Sequence, residues 1–214
     1  MRKTTLLLMT VVLSLALVNV ANANVLLNPG FESGNANWTV GGSATVETGD
    51  PARAHTGNNY GEVQLNLSGY FFQSFTLPAG TNTIEYGSYL QIFANFLSGN
   101  FDQVQINLAI TSDGGDTIGD SVANFDSLLF TYNPTTRLYQ TDWFLLSGLL
   151  DITGLSGDIN INLQAAAIGG SGAPISMIRV DDAFVNAVPE PSTLLLLGSG
   201  LIGLVGYGRK RMKK

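Results

Sequence analysis

The stretch Val104-Gln105-Ile106-Asn107-Leu108-Ala109-Ile110 places an aliphatic side chain at every second position, with amide or small side chains between. A period of two is the spacing of residues on one face of a β-strand, so this stretch predicts a strand with an apolar inner face and an amide-bearing outer face. The same alternation occurs in Ile159-Asn160-Ile161-Asn162-Leu163-Gln164 and in Val63-Gln64-Leu65-Asn66-Leu67-Ser68. Such stretches favour antiparallel sheets with one buried face and one polar face.

Further strands are predicted over residues 71–77, 83–90, 142–149 and 176–185. Turn-forming residues separate them, as in Pro78-Ala79-Gly80-Thr81-Asn82. No segment between the two chain ends keeps helical periodicity for three turns. About eight strands over residues 24–187 predict an all-β domain, a two-sheet antiparallel sandwich of the jelly-roll type. A short hinge is expected at residues 186–189.

The N-terminus predicts a cleaved secretory signal peptide over residues 1–23. Arg2 and Lys3 precede an apolar run over residues 6–20, and Ala21-Asn22-Ala23 then supplies the small residues that a signal peptidase reads. The apolar run is too short to be a strong membrane span. We expect cleavage after Ala23.

Between its two ends the chain is acidic and contains no cysteine. Residues 24–188 hold fifteen Asp and Glu, no Lys and only three Arg, a net charge of −12 against −6 for the whole chain. This charge disfavours nucleic acid as a partner, because nucleic-acid binding needs clustered Lys and Arg, and it makes divalent cations natural counter-ions. The lack of cysteine excludes disulfides, thiolate catalysis and cysteine-based zinc sites.

The C-terminus has three parts: Val188-Pro189-Glu190-Pro191-Ser192-Thr193, an uncharged run over residues 192–208, and a basic end over residues 209–214. As a helix, the run would be about 26 Å long at ~1.5 Å per residue, the short end of what spans a bilayer. The basic end would then stay on the cytoplasmic side. An ordinary membrane anchor explains these features. Residues 188–214 also resemble the PEP-CTERM sorting signal of proteins exported by Gram-negative bacteria that make extracellular polysaccharide.

The resemblance implies a precursor anchored in the inner membrane by a transmembrane helix over residues 192–208. It also implies that Pro189, Glu190 and Pro191 are recognised by an exosortase, a transpeptidase-like membrane enzyme that removes the tail. The mature protein would then lie at the cell surface or outside the cell. Retention of the tail as a plain anchor stays open as the alternative.

A second resemblance involves both ends of the domain. Gly30-Phe31-Glu32-Ser33-Gly34, followed by Trp38, lies near its start, and Ile178-Arg179-Val180-Asp181-Asp182-Ala183-Phe184-Val185 lies at its end. Ala54-His55-Thr56-Gly57-Asn58-Asn59-Tyr60 lies between them. In this order the three motifs resemble the first strand, the last strand and the loop before the third strand of galactose-binding-like jelly rolls, a group that includes many carbohydrate-binding modules.

That resemblance implies a structural Ca²⁺ site. Glu32 and either Asp181 or Asp182 would be ligands, and backbone oxygens near Thr56 and Asn58 would complete the shell. Calcium takes six to eight oxygen ligands, and a bound ion would join the two ends of the domain. The spacing between the aliphatic residues and the aspartate in the last motif favours Asp181 as the ligand. Strand alternation, however, places Asp181 on the face opposite Val180, so the choice between Asp181 and Asp182 is open. In the alternative, these acids lie exposed at strand ends and bind nothing.

Sugar recognition needs exposed aromatic rings beside hydrogen-bonding side chains. The resemblance to galactose-binding-like jelly rolls implies packing positions for Trp38 and Trp143, so we expect both to lie in the core. A loop is predicted over residues 92–102, where Phe93, Phe96 and Phe101 either line a concave surface or cap the sandwich. The tyrosines considered as sugar platforms, each with packing as the alternative, are Tyr60, Tyr86, Tyr89, Tyr132 and Tyr139.

No catalytic site is predicted. His55, the single histidine, lies among turn residues without a convincing nucleophile. Fifteen acids allow so many carboxylate pairs that none indicates a glycosidase. We therefore expect a non-enzymatic exported protein that binds carbohydrate and takes part in exopolysaccharide or biofilm architecture. A structural or adhesion protein without a sugar site is the alternative, and a secreted hydrolase ranks third.

Overall fold

The computed structural model describes residues 24–64, 68–78, 80–95, 104–112, 115–122, 130–155, 159–167, 175–188 and 198–200. The predicted signal peptide, the Pro189-Glu190-Pro191 motif and most of the predicted transmembrane helix lie outside these residues. Residues 198–200 are helical. In the part of the chain described, no helix is long and apolar enough to cross a membrane.

Twelve strands form two antiparallel sheets within the described residues. Their bounds are β1 (Thr39–Gly42), β2 (Ala44–Glu47), β3 (Tyr60–Gln64), β4 (Gly69–Phe75), β5 (Thr83–Ala94), β6 (Val104–Ser112), β7 (Thr117–Val122), β8 (Thr131–Asn133), β9 (Leu138–Gln140), β10 (Phe144–Asp151), β11 (Ile159–Ala167) and β12 (Ile175–Val188). The five-stranded sheet has the order β1-β4-β11-β6-β7. The seven-stranded sheet has the order β2-β3-β12-β5-β9-β8, and β10 pairs with β5 beside β9.

The core lies between the two sheets and confirms the period-two prediction. Ile106, Leu108 and Ile110 of β6 are fully buried, as is Ile161 of β11. Because successive strand residues face opposite sides, the residues between them point away from the core. The five-stranded sheet therefore presents an outer face made largely of amide and hydroxyl side chains.

β5 is longer than the sequence predicts, and it replaces the start of the loop expected over residues 92–102. Ile92 and Phe93 belong to this strand and are buried. The strand continues because β12 and β9 both pair with this part of it, so its backbone groups are satisfied. Phe96 and Phe101 lie outside the described residues.

β12 also extends past its predicted end. It pairs with β5 as far as Val188 opposite Thr83, so the predicted hinge is wrong for residues 186–188. An irregularity interrupts this pairing between Asp181 and Phe184, and Asp182 has a φ of 46°. A bulge of this kind adds residues to one strand and changes the direction of their side chains.

The two tryptophans differ in burial. Trp38 is buried as predicted, packs 5.2 Å from the Phe31 ring, and donates its indole N–H to the carbonyl of Asn28. Trp143, expected in the core, is only half-buried. It precedes β10 on the outer side, and its ring centroid lies 5.5 Å from that of His55.

Candidate functional site

Asp181 and Asp182, at the bulge of β12, form hydrogen bonds with the loop before β3. Oδ2 of Asp181 accepts the backbone N–H groups of His55 at 2.8 Å and Thr56 at 3.1 Å, while its Oδ1 accepts the N–H of Asp182. Asp181 is fully buried. Burial and the neighbouring Asp182 carboxylate raise the pKa of Asp181 to about 7.

Asp182 binds the side chains of the same loop. Its Oδ2 lies 2.7 Å from Nδ1 of His55, and the Thr56 hydroxyl donates to both carboxylate oxygens at 2.9 Å. The His55 ring is stacked on Tyr89, with centroids 3.8 Å apart. The backbone of Gly30 lies next to Asp182, and a Cβ at Gly30 would be only 3.0 Å from Oδ1 of Asp182.

Glu32 binds the next part of the loop. Its Oε1 accepts the N–H groups of Asn58 at 2.8 Å and Asn59 at 3.0 Å. The Asn59 amide donates to the carbonyl of Phe31, which ties the loop to the motif that contains Glu32. Gly57 has a φ of 67°, and a Cβ there would clash with the Glu32 carboxylate.

The five predicted calcium ligands thus meet at one loop, Thr56 beside the two aspartates and Asn58 beside Glu32. In this arrangement the loop presents backbone N–H groups to the carboxylates, whereas the prediction has backbone oxygens near Thr56 and Asn58 complete a calcium shell. Across the described ranges, no group of three or more His, Cys, Asp or Glu side chains is placed to hold a metal ion. The calcium ion and its ligands stay a prediction.

A second candidate site is the outer face of the five-stranded sheet, which we call the amide face. It is formed by side chains that alternate with core residues on β4, β11 and β6. The strand register places Asn160 opposite both Ser74 and Thr111, and Asn162 opposite Phe72. The members are Tyr70, Phe72 and Ser74 of β4, Asn160 and Asn162 of β11, and Asn107, Ala109 and Thr111 of β6, of which Asn160, Ala109 and Thr111 are buried.

Hydrogen bonds join part of this face. The Ser74 hydroxyl donates to Oδ1 of Asn160 at 2.6 Å, and Nδ2 of Asn160 donates to the carbonyl of Ser112 at 3.3 Å. In contrast, Oδ1 of Asn107 and Oδ1 of Asn162 are buried and have no hydrogen-bond partner in the described structure. A buried acceptor without a partner costs about 1–3 kcal/mol, and a hydrogen-bond donor that reached these atoms would remove that cost.

A pocket of about 240 Å³ opens at one edge of the amide face. Phe72 and Ser74 belong to both the face and the pocket, so the two are continuous. The remaining lining residues are Leu27, Asn37, Thr39 and Gln73. The pocket therefore combines apolar side chains with amide and hydroxyl groups, the mixture that sugar sites need.

The aromatic residues on the amide face are not the ones that the sequence indicated. All five tyrosines considered as platforms lie on strands of the seven-stranded sheet. Tyr60 and Tyr86 are buried, whereas Tyr132 is exposed and packs on Tyr139. Tyr70 and Phe72 occupy outward positions of β4, which the period-two pattern of that strand would have shown.

Comparison with known proteins gives one family match and several similar folds. Residues 187–211 match the family model of the PEP-CTERM protein-sorting motif. No curated protein matches the chain. The sorting motif indicates an exported precursor that is anchored in the membrane.

Among solved structures, the module TmCBM61 in complex with β-1,4-galactotriose is 20% identical, with a TM-score of 0.51 over 76% of this chain and 97% of that one. The enzymatically active domain of tailspike protein 4 of bacteriophage CBA120 is 9% identical, with a TM-score of 0.51 over 77% of this chain and 21% of that one. A family 16 carbohydrate-binding module is 13% identical, with a TM-score of 0.47 over 76% of this chain and 99% of that one. At these identities the likeness shows the fold alone. The two antiparallel sheets and the match to TmCBM61 confirm the predicted two-sheet jelly-roll sandwich.

Proposed function

We propose that the domain is a non-catalytic carbohydrate-binding module and that its ligand lies on the amide face. The observation that carries the proposal is the row of outward amides on β11 and β6 beside the ring of Phe72 on β4. A pyranose has an apolar ring face and several hydroxyl groups, so it needs an aromatic or aliphatic surface next to hydrogen-bonding side chains. The amide face and its pocket supply both.

The outer face of the seven-stranded sheet is a poorer candidate. Arg179 is buried there, with its guanidinium 5.1 Å from the Tyr60 ring centroid and 4.4 Å from that of Phe93. The same guanidinium also contacts Glu62 and Gln91. Because these aromatic rings are fully buried around the cation, they offer no open stacking surface to a sugar.

The contacts of His55 do not include those of a Ser-His-Asp triad within the described residues. Its Nδ1 faces Asp182 and its ring is covered by Tyr89. Within the described structure, no serine or threonine hydroxyl forms a hydrogen bond with Nε2, as a Ser-His-Asp triad would require. A secreted hydrolase therefore gains no support from this cluster.

We place the ligand among the extracellular polysaccharides of the producing cell. The sorting motif favours this assignment, because an exported protein released near the cell surface meets these polymers first. The similar fold of a module solved with a galactotriose adds support for sugar as the ligand class. A role in biofilm or floc formation follows if the bound polymer is part of the matrix.

A glycan array tests this function. Residues 24–188 would be applied to an array that includes the polysaccharide of the producing organism, and we expect selective binding to a subset of glycans. Absence of binding to every glycan would favour a structural or adhesion protein without a sugar site. Release of reducing ends from a bound glycan would instead favour a hydrolase.

A further inference from the structure

One end of the seven-stranded sheet is the point at which the chain leaves the domain for the sorting segment. Val188, the last residue of β12, pairs with Thr83, the first residue of β5, and Thr83 also pairs with Asp151, the last residue of β10. The sorting-motif match begins at residue 187. We call the end marked by Thr83, Asp151 and Val188 the exit end.

Two exposed leucines, Leu149 and Leu155, lie near this end. Leu149 of β10 is 72% exposed on the outer face, opposite Glu85, and Leu155 is 46% exposed in the turn after β10. That turn is fixed beside the start of β5, because the N–H of Ile152 donates to the carbonyl of Asn82. Among the described residues, six large hydrophobic side chains are exposed, and three of them (Leu145, Leu149 and Leu155) lie on β10 or directly after it.

The exit end must lie close to the membrane in the anchored precursor. The uncharged run of the sorting segment starts at Ser192, four residues after Val188. Four residues span at most about 14 Å at ~3.5 Å per residue, which is less than the diameter of a small domain. A surface this near a bilayer either contacts it or is held off by repulsion.

We propose that in the membrane-anchored precursor the exit end rests on the bilayer, with Leu149 and Leu155 in the interfacial region. This inference does not depend on sugar binding. Exposed apolar side chains gain from leaving water, and the short connection makes the contact effectively intramolecular. β5 and β12 would then run away from the membrane, so that the opposite end of the domain, at Ala94, points outward.

The charges around the leucines define which lipid surface fits. Asp151 is exposed and Glu85 is half-buried beside Leu149. Anionic lipids would repel these carboxylates within a Debye length of the surface. The contact should therefore be strongest on zwitterionic bilayers and weaken as the anionic fraction rises.

The test uses the full-length chain in nanodiscs, and the lack of cysteine allows a single introduced label. An environment-sensitive dye would be attached to the cysteine of S147C, at an exposed position of β10 between Leu145 and Leu149. The same dye on T136C is the matched control. Thr136 is exposed in the turn between β8 and β9, at the opposite end of the sheet. Shallow spin-labelled phosphatidylcholine serves as the quencher.

We expect at least threefold stronger quenching at S147C than at T136C, and loss of that excess when L149S and L155S are added. Circular dichroism and flotation would show that this double variant remains folded and anchored. Equal quenching at both sites, or quenching at S147C that persists without the leucines, would overturn the proposal. A concentration-dependent spectral change without lipid quenching would assign the leucines to contact between two copies of the chain, and would also overturn it.

Discussion

Asn162 on β11 lies directly opposite Phe72 on β4 in the antiparallel register. An amide and an aromatic ring therefore stand side by side on the outer face of the five-stranded sheet, and the ring of Phe72 lines the pocket at its edge. Neither side chain is needed to fill the core, which is formed by the alternate residues of the same strands, such as Phe71 and Ile161. The pair therefore lies outside the core of the sandwich.

Phe72→Ala should weaken glycan binding by about tenfold or more, since loss of a stacking surface worth about 1.4 kcal/mol corresponds to a factor of ten. Tyr132→Ala is the matched control, because Tyr132 is 54% exposed on the other sheet. Titration calorimetry of both variants with a glycan identified on the array measures the difference. The same loss of affinity in both would argue against a site on the amide face.

Calcium binding is tested through Glu32. If an ion bridges Glu32 and the aspartate pair, it adds about 2.7 kcal/mol to the free energy of unfolding at a hundredfold excess over Kd. A chelator should then lower the Tm by several degrees, since ~1 kcal/mol changes the Tm of a domain of this size by roughly 2–4 °C.

Glu32→Gln should remove most of this calcium response, because Gln can still accept the N–H groups of Asn58 and Asn59 but carries no charge. Glu47→Gln serves as the control and should respond to calcium as the wild type does. Differential scanning calorimetry with calcium and with chelator gives the comparison. Identical Tm values up to several millimolar calcium would exclude the ion.

The pH dependence of stability should reveal Asp181. Its folded-state pKa is raised from 3.8 to about 7, so the folded protein holds a proton that the unfolded chain releases in this range. The contribution of Asp181 to stability is therefore fully present below pH 3.8 and is lost as the pH rises to about 7.

Asp181→Asn cannot ionise, so the difference in Tm between this variant and the wild type should shift in favour of the variant between pH 4 and pH 7. The measurement is made with a chelator, because a bound cation would stabilise the carboxylate. Parallel Tm profiles for the two proteins over this range would show that Asp181 ionises normally in the folded state.

Alanine substitutions at two glycines with similar backbone conformations distinguish two contributions to stability. One is the contact between Glu32 and the loop, and the other is the left-handed backbone itself. Gly57 and Gly49 have φ values of 67° and 77°, but a Cβ at Gly57 clashes with the Glu32 carboxylate, whereas a Cβ at Gly49 has open space. Gly49→Ala should cost about 1–2 kcal/mol, the usual penalty for a left-handed residue. Gly57→Ala should cost clearly more in urea unfolding. Equal costs would mean that the Glu32 contact with this loop contributes little.

The sequence predicts the amide face better than it predicts the loop site. The alternation in β6 and β11 requires the outward positions of Asn107, Asn160 and Asn162, because the side-chain period of a strand is two. The alternation does not show that Phe72 lies beside Asn162, because this pairing joins two residues that are 90 positions apart in the sequence. The aromatic partner was therefore missed.

The loop site depends on the irregularity in β12, which no local pattern indicates. Strand alternation alone would place Asp181 and Asp182 on opposite faces, but the break in pairing lets both carboxylates reach His55 and Thr56. The short strands β8 and β9 were also missed, because three residues are too few to display a period. Trp143 was misplaced because the family resemblance assigned it to the core, whereas alternation on the predicted strand over residues 142–149 puts it on the face of the exposed Leu145 and Leu149.

The central claim is that sugar binds to the amide face. The most direct measurement is the affinity of residues 24–188 for the array-selected glycan, compared among the wild type, the N160A/N162A double variant and Thr45→Ala. Thr45 is exposed on β2 of the other sheet. We predict at least tenfold weaker binding for the double variant, which circular dichroism should show to be folded, and an unchanged affinity for Thr45→Ala. Equal affinity in all three proteins would contradict the assignment.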